Sequence, residues 1–167
     1  GTTQRLSQMR VPVGKLNAIF LTHMHSDHTE GLGDMMQLRW HFNSKGPKVD
    51  LVVSEDARSP KGHVLSGRNF AKHIGDALIQ SGEMAQRLAE NPKRLPGGPA
   101  DLINVMAFPP AKQPTQVWSL GDVTVSAINS RQASDSWVNG DNCAKPKNAP
   151  LGLVWQIPVT RFPPWLC

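Results

Sequence analysis

The chain has 167 residues, a net charge of +5, 39% hydrophobic and 19% charged residues. That length allows one domain with a real core, and the composition is that of an ordinary folded chain and excludes a disordered one. A pI near 9.6 admits an anionic substrate or a nucleic acid, but the Lys and Arg residues are scattered with no run longer than Lys93-Arg94, so no nucleic-acid stripe is drawn.

Residues 4–10 have the composition of a short helix, ended by Val11-Pro12. Lys15 to Leu21 reads as a strand, because its apolar run Ala18-Ile19-Phe20-Leu21 is short and continuous. Leu32, Met35, Met36 and Trp40 then recur at helical spacing, predicting a helix over about 30–43 with one face on a sheet. Lys45-Gly46-Pro47 is a turn and Val49 to Val53 a strand. Ser54 to Ser66 reads as a polar loop carrying His63. Phe70, Ile74, Ala77, Leu78, Met84, Ala85 and Leu88 then predict one helix over about 68–90, with His73 at the border of its buried stripe. Asn91 to Asp101 is a Pro/Gly loop, and Leu102 to Met106 is a further strand. Val117–Leu120 and Val123–Ile128 flank Gly121-Asp122 and predict a hairpin.

Cys143 and Cys167 lack a Cys-x-x-Cys spacing and are expected as free thiols. No apolar run approaches a membrane span, and no membrane association is expected. The cytoplasm is the expected compartment. Because the sequence opens on Gly1, an export signal upstream stays open.

The densest chemistry is His23-Met24-His25-Ser26-Asp27-His28, which follows the Ala18–Leu21 strand directly and precedes the first long helix. Sites in open α/β sheets lie at the carboxyl ends of strands, where this segment falls. Imidazole nitrogen and carboxylate oxygen are the non-thiol ligands of Zn²⁺. In an extended segment His23 and His25 share a side, while Asp27 and His28 lie on the turn and can face a second point nearby. One loop could then serve two neighbouring metals, the arrangement that clamps a hydrolytic transition state.

Thr22 to His28, with the strand before it and Glu30-Gly31-Leu32 after it, resembles the HxHxDH signature of the metallo-β-lactamase superfamily. The wording from Leu21 to His28 is most similar to the ribonuclease Z and arylsulfatase-like branch. The resemblance implies an α/β fold, part of an αββα sandwich with a mixed sheet and flanking helices. It implies His23 and His25 on a first metal and Asp27 and His28 on a second. Zn²⁺ is expected as one or two ions, with Mn²⁺ or Fe as alternatives. Asp27 would orient the nucleophilic water or act as general base. The implied reaction is hydrolysis of a phosphodiester or other ester, with an anionic or ester small molecule, or tRNA, as substrate. Gly1-Thr2 is similar to the end of the family's glycine-rich turn, which would place the first strands upstream; a coincidental start is the alternative.

The resemblance then breaks. A strand like Val123–Ile128 leads, in the family, to a third histidine; here Asn129-Ser130-Arg131-Gln132 follows, and the last histidine of the chain is His73. Asp141, in Asn139-Gly140-Asp141, only faintly matches the family's bridging aspartate. Residues 130–167 hold three of the five Trp and five of the fourteen Pro, around the apolar run Leu151–Trp155. The expected organisation is therefore a partial metallo-β-lactamase-like domain over 1–129 and a divergent tail over 130–167, set off by a frameshift, gene junction or divergent splice. A catalytically inactive metal-binding or interaction fragment is the rival reading. Open sheet edges would favour a homo-oligomer.

Overall fold

In a computed structural model the chain is described over residues 1–58, 61–91, 98–109 and 111–130, together with the backbone of 152–156. Its elements run α1 (Thr2–Gln8), β1 (Ala18–Phe20), α2 (Ser26–Thr29), α3 (Leu32–Asn43), β2 (Val49–Ser54), β3 (Ala57–Arg58), β4 (Val64–Leu65), α4 (Gly67–Gln80), α5 (Met84–Glu90), β5 (Ile103–Phe108), β6 (Thr115–Leu120), β7 (Val123–Ser130) and β8 (Gly152–Gln156). The chain is a mixed α/β fold, as its alternation of apolar runs and helical stripes implies.

β1, β2 and β5 form a parallel sheet with β2 in the centre. The near-continuous apolar run of β2 fits that place, because a central parallel strand is covered on both faces. Val49, Leu51, Val52 and Val53 are all buried. Val49, Leu51 and Val53, which share a face, pack with Ile19, Leu32, Met35, Met36 and Ala71, so α3 and α4 cover that side. Asp50 belongs to the opposite face. Its carboxylate accepts from Trp118 Nε1 of β6 at 2.8 Å and from Asn104 Nδ2 of β5 at 2.8 Å. Phe20 of β1 meets the Trp118 ring edge-on at 5.6 Å. The second sheet, β6-β7-β8, is antiparallel and lies on this face. The described layers are therefore helix, sheet, sheet.

The hairpin prediction is met: β6 and β7 pair across Gly121-Asp122, with Gly121 at φ +56°. Glycine at the first central position suits a two-residue hairpin turn of type II′. β8, inside the segment expected to diverge, pairs with β7 from Ser126↔Gln156 to Ser130↔Gly152.

Five expectations are revised. The strand drawn over Lys15 to Leu21 is confined to Ala18–Phe20, because Lys15 closes a 3₁₀ turn over Val13–Lys15. The helix drawn over 68–90 is two helices, because the chain turns at Ser81-Gly82-Glu83, where a Cβ on Gly82 would come within 2.6 Å of the Leu78 carbonyl oxygen. His73 is exposed on α4 and lies off the buried stripe. The loop over 54–66 contains the short antiparallel pair β3–β4. The strand after the Pro/Gly loop starts at Ile103 and runs to Phe108, Leu102 closing a 3₁₀ turn over Pro99–Leu102.

α3 buries more than one face. Leu32, Met35 and Met36 meet the sheet, whereas Trp40, fully buried, joins Met84 and Leu102 in a second cluster with Leu78, Ile79 and Leu88. Arg39, only 1% exposed, closes the carboxyl end of α3: its guanidinium donates to the carbonyls of Asn43 and of Pro47, the latter at 2.7 Å. A cation there satisfies carbonyls left over at a helix end and complements its dipole. Desolvation by burial lowers its pKa from the ordinary arginine value.

Candidate metal centre

The histidine segment occupies the turn between β1 and α3, at the carboxyl end of a parallel strand. Leu21 is still held to the sheet, its N–H donating to the Val52 carbonyl at 3.0 Å. The chain then leaves the sheet, and His25 (φ −68°, ψ 147°) stands as N-cap of α2, a single turn of helix. Two bonds to the His25 carbonyl fix that turn: the His28 N–H at 3.1 Å and the Thr29 hydroxyl at 3.1 Å. Thr29 is buried at 3% exposure, so its side chain anchors the loop from beneath.

This backbone brings the imidazoles together. The His23 ring centroid lies 4.4 Å from that of His25 and 4.3 Å from that of His28. Thr22 Oγ1 lies 3.0 Å from His23 Nδ1, and the other nitrogen of that ring, Nε2, is buried. His28 Nε2 is 3.4 Å from the Asp27 carboxylate. The Asp27 side chain is 76% exposed and the His28 side chain 44% exposed, so the acidic end of the segment opens to solvent. Asp27, His28 and Glu30 line a cleft of about 440 Å³ together with Thr2 and Leu6 of α1 and Ala18 to Leu21.

All four residues singled out in the sequence thus lie on one short turn. Their donor types, imidazole nitrogen and carboxylate oxygen, are those zinc accepts. Among the described residues, however, no group of three or more His, Cys, Asp or Glu has the arrangement that holds a metal ion. The segment fits a metal in donor chemistry and in proximity, and by itself supplies less than a full shell. Of the other histidines, His41 on α3 makes a 3.1 Å contact from Nε2 to the Arg87 guanidinium of α5, in keeping with a hydrogen-bonded helix residue. His63 is exposed beside β4. Asp141 and the Lys93-Arg94 pair lie outside the described residues. The ligand pattern gives no role to the hydroxyls of Thr22 and Thr29, although a hydroxyl residue immediately before a histidine and one inside a single-turn helix are signals for side chains that bond locally.

The α/β layering and the histidine turn together define a chain with a potential metal-ligand loop at a sheet's carboxyl end. Residues 1–78 match the family model described as Anti-Pycsar protein Apyc1. A stretch of 43 residues is 42% identical to a ribonuclease Z of Mycolicibacterium gilvum (strain PYR-GCK), covering 26% of this chain and 15% of that protein. A stretch of 53 residues is 38% identical to a ribonuclease Z of Mycobacterium marinum (strain ATCC BAA-535 / M), covering 32% of this chain and 19% of that one. The similarity is therefore local, spanning less than a fifth of either ribonuclease Z. Among the described residues no helix is long and apolar enough to cross a membrane.

Proposed function

We propose that this chain carries the metal-ligand loop of a hydrolase of the metallo-β-lactamase superfamily, acting on a phosphodiester or other ester. The observation that carries the reading is the placing of the His25 and His28 imidazoles within 4.4 Å of the His23 ring at the end of β1. The local similarity to ribonuclease Z supports the hydrolase class.

In this reading His23 and His25 hold one ion and Asp27 and His28 a second. Zn²⁺ is the first choice, and Mn²⁺ or Fe suits the same donors. Bound there, the ions supply a lowered water pKa and electrostatic stabilisation of the hydrolytic transition state. The chain's own residues do the rest. Asp27, exposed at the cleft, accepts a hydrogen bond from the water to be activated and orients it. His28, 3.4 Å away, keeps the Asp27 carboxylate turned toward the turn. The cleft beside them admits a substrate, and the net charge of +5 favours an anionic one, in a small ester or an RNA. Residues 1–129 form the partial hydrolase-like unit in this scheme, and 130–167 a divergent tail. Further ligands come from that tail or from a second chain, and β1 and β5, the outer strands of the parallel sheet among the described residues, offer edges for pairing.

The lack of a three-donor group among the described residues favours a second reading, an inactive metal-binding or interaction fragment. Metal content per chain after exhaustive dialysis, beside His25→Ala, separates the two, together with Zn²⁺-dependent hydrolysis of bis(4-nitrophenyl) phosphate. The hydrolase reading expects bound metal that falls in His25→Ala and turnover lost in Asp27→Ala. Bound metal without turnover leaves the second reading. No metal in either protein removes the hydrolase reading and leaves an inactive interaction fragment.

A further inference from the structure

The contact between Thr22 Oγ1 and His23 Nδ1 gives the turn a feature that its ligand inventory does not contain. We propose that Thr22 is a positioning residue: its hydroxyl accepts the Nδ1–H of His23, which fixes the ring's tautomer and orientation so that Nε2 carries the lone pair offered to a metal. The proposal rests on the metal-loop reading above and adds a specific device to it.

Three observations support it. The separation of 3.0 Å is the ordinary length of an N–H···O bond. The two partners are adjacent in sequence and Leu21, just before them, is fastened to Val52 in the sheet, so the hydroxyl is presented by rigid backbone. The engaged nitrogen is Nδ1, while Nε2 is buried and the His23 ring lies 4.4 and 4.3 Å, centroid to centroid, from those of His25 and His28.

The chemistry gives the contact a consequence. A neutral imidazole has one N–H and one lone pair, and the hydrogen bond made at one nitrogen decides which is which. A ligand whose tautomer is already correct binds metal without a proton shift or a ring flip, and a partner that accepts from the distal N–H raises the ligand's basicity. A hydroxyl suits this place because it accepts without introducing a charge beside the turn.

The test uses the full chain, labelled with ¹⁵N-histidine. Long-range ¹H–¹⁵N correlation reads the His23 tautomer in the metal-free protein, its signals assigned with His23→Gln. Competition with a chromophoric chelator reads zinc affinity. Thr22→Val keeps the β-branched shape and removes the acceptor, and Thr22→Ser restores it. We expect His23 of the parent chain to be protonated at Nδ1. In Thr22→Val that preference is lost and zinc binds about 10-fold more weakly, within the range for outer-shell substitutions; Thr22→Ser recovers both. A His23 protonated at Nε2 in the metal-free parent overturns the proposal. So does a Thr22→Val chain whose tautomer or zinc affinity is unchanged. If the parent takes up no zinc, the metal-loop reading fails by itself, and Thr22 loses its role toward a metal whatever the tautomer shows.

Discussion

Gly75→Ala tests the packing of α4 on the 3₁₀ turn that precedes β5. A Cβ at position 75 would stand 2.4 Å from the Ala100 Cβ and 3.4 Å from the Ala100 Cα and N. The first distance is far inside carbon–carbon contact, which is optimal near ~3.5–4.0 Å. Neither partner can rotate away, since both are methyl groups fixed to backbone. α4 and the turn must separate by roughly 1 Å, at a cost of about 1–3 kcal/mol for overpacking. Against this, alanine is favoured over glycine inside a helix by about 1 kcal/mol. Because both clashing methyls are fixed to backbone, the cost belongs in the upper half of that range, and the net expectation is a destabilisation of about 1–2 kcal/mol, from about 2–3 for the clash less about 1 for propensity. Urea denaturation followed by far-ultraviolet circular dichroism measures it as a lower midpoint with an unchanged slope. The double variant Gly75→Ala/Ala100→Gly removes the clashing methyl and should return close to the parent, with a coupling of about 1–3 kcal/mol between the two sites. If Gly75→Ala is as stable as the parent, or the double variant is no better than the sum of its singles, the close approach of α4 to Ala100 is wrong.

Three further changes probe other parts of the frame. Arg10 stands at φ 58°, just beyond α1, with its N–H on the Ser7 carbonyl and the Val11 N–H on the Leu6 carbonyl. This is the place where helices usually end on glycine. Arg10→Gly should therefore raise stability by about 1 kcal/mol, read as a higher thermal midpoint. Asp50→Ala removes the acceptor shared by Trp118 and Asn104; the partly exposed site suggests a loss of about 2 kcal/mol and faster amide exchange in β6 and β7 than in β2. Arg39→Met keeps the apolar stem and deprives the Asn43 and Pro47 carbonyls of their donor. Denaturant titration should show a loss of about 1–3 kcal/mol that Arg39→Lys recovers only in part, because one ammonium cannot reproduce the guanidinium fork.

Much of this architecture is legible from residues alone, for identifiable reasons. The apolar run Val49–Val53, broken only by Asp50, is short and β-branched enough to read as a strand, and β2 is that strand. Gly121-Asp122 between two apolar alternations carried enough turn chemistry to give the hairpin directly. Helical periodicity was less informative at Gly82, because the apolar stripe continues in phase across the break and only the close approach to the Leu78 carbonyl reveals it. Trp40 was rightly placed in a core, but periodicity cannot say that it belongs to a different cluster from Met36. Arg39 was invisible for a related reason. A charged residue in an amphipathic helix reads as solvated, and its burial depends on carbonyls contributed by a later turn. At the histidine segment the residue types marked out four candidate donors, and the folded turn brings the three imidazoles close together. The hydroxyl contacts of Thr22 and Thr29 became apparent only from the folded turn.

The compactness of that turn has a consequence for how a metal shell can be assembled. His23, His25, Asp27 and His28 fall within six consecutive residues, so bringing them together closes no long loop. The entropy of chain closure grows with the length of the segment enclosed. It is therefore spared for these donors and falls on whatever distant residues complete the coordination. On the proposed metal-loop reading, an arriving ion would meet a local chelate first and recruit remote groups second. Metal capture on this segment would then precede, in time, the long-range contacts that make a site tight.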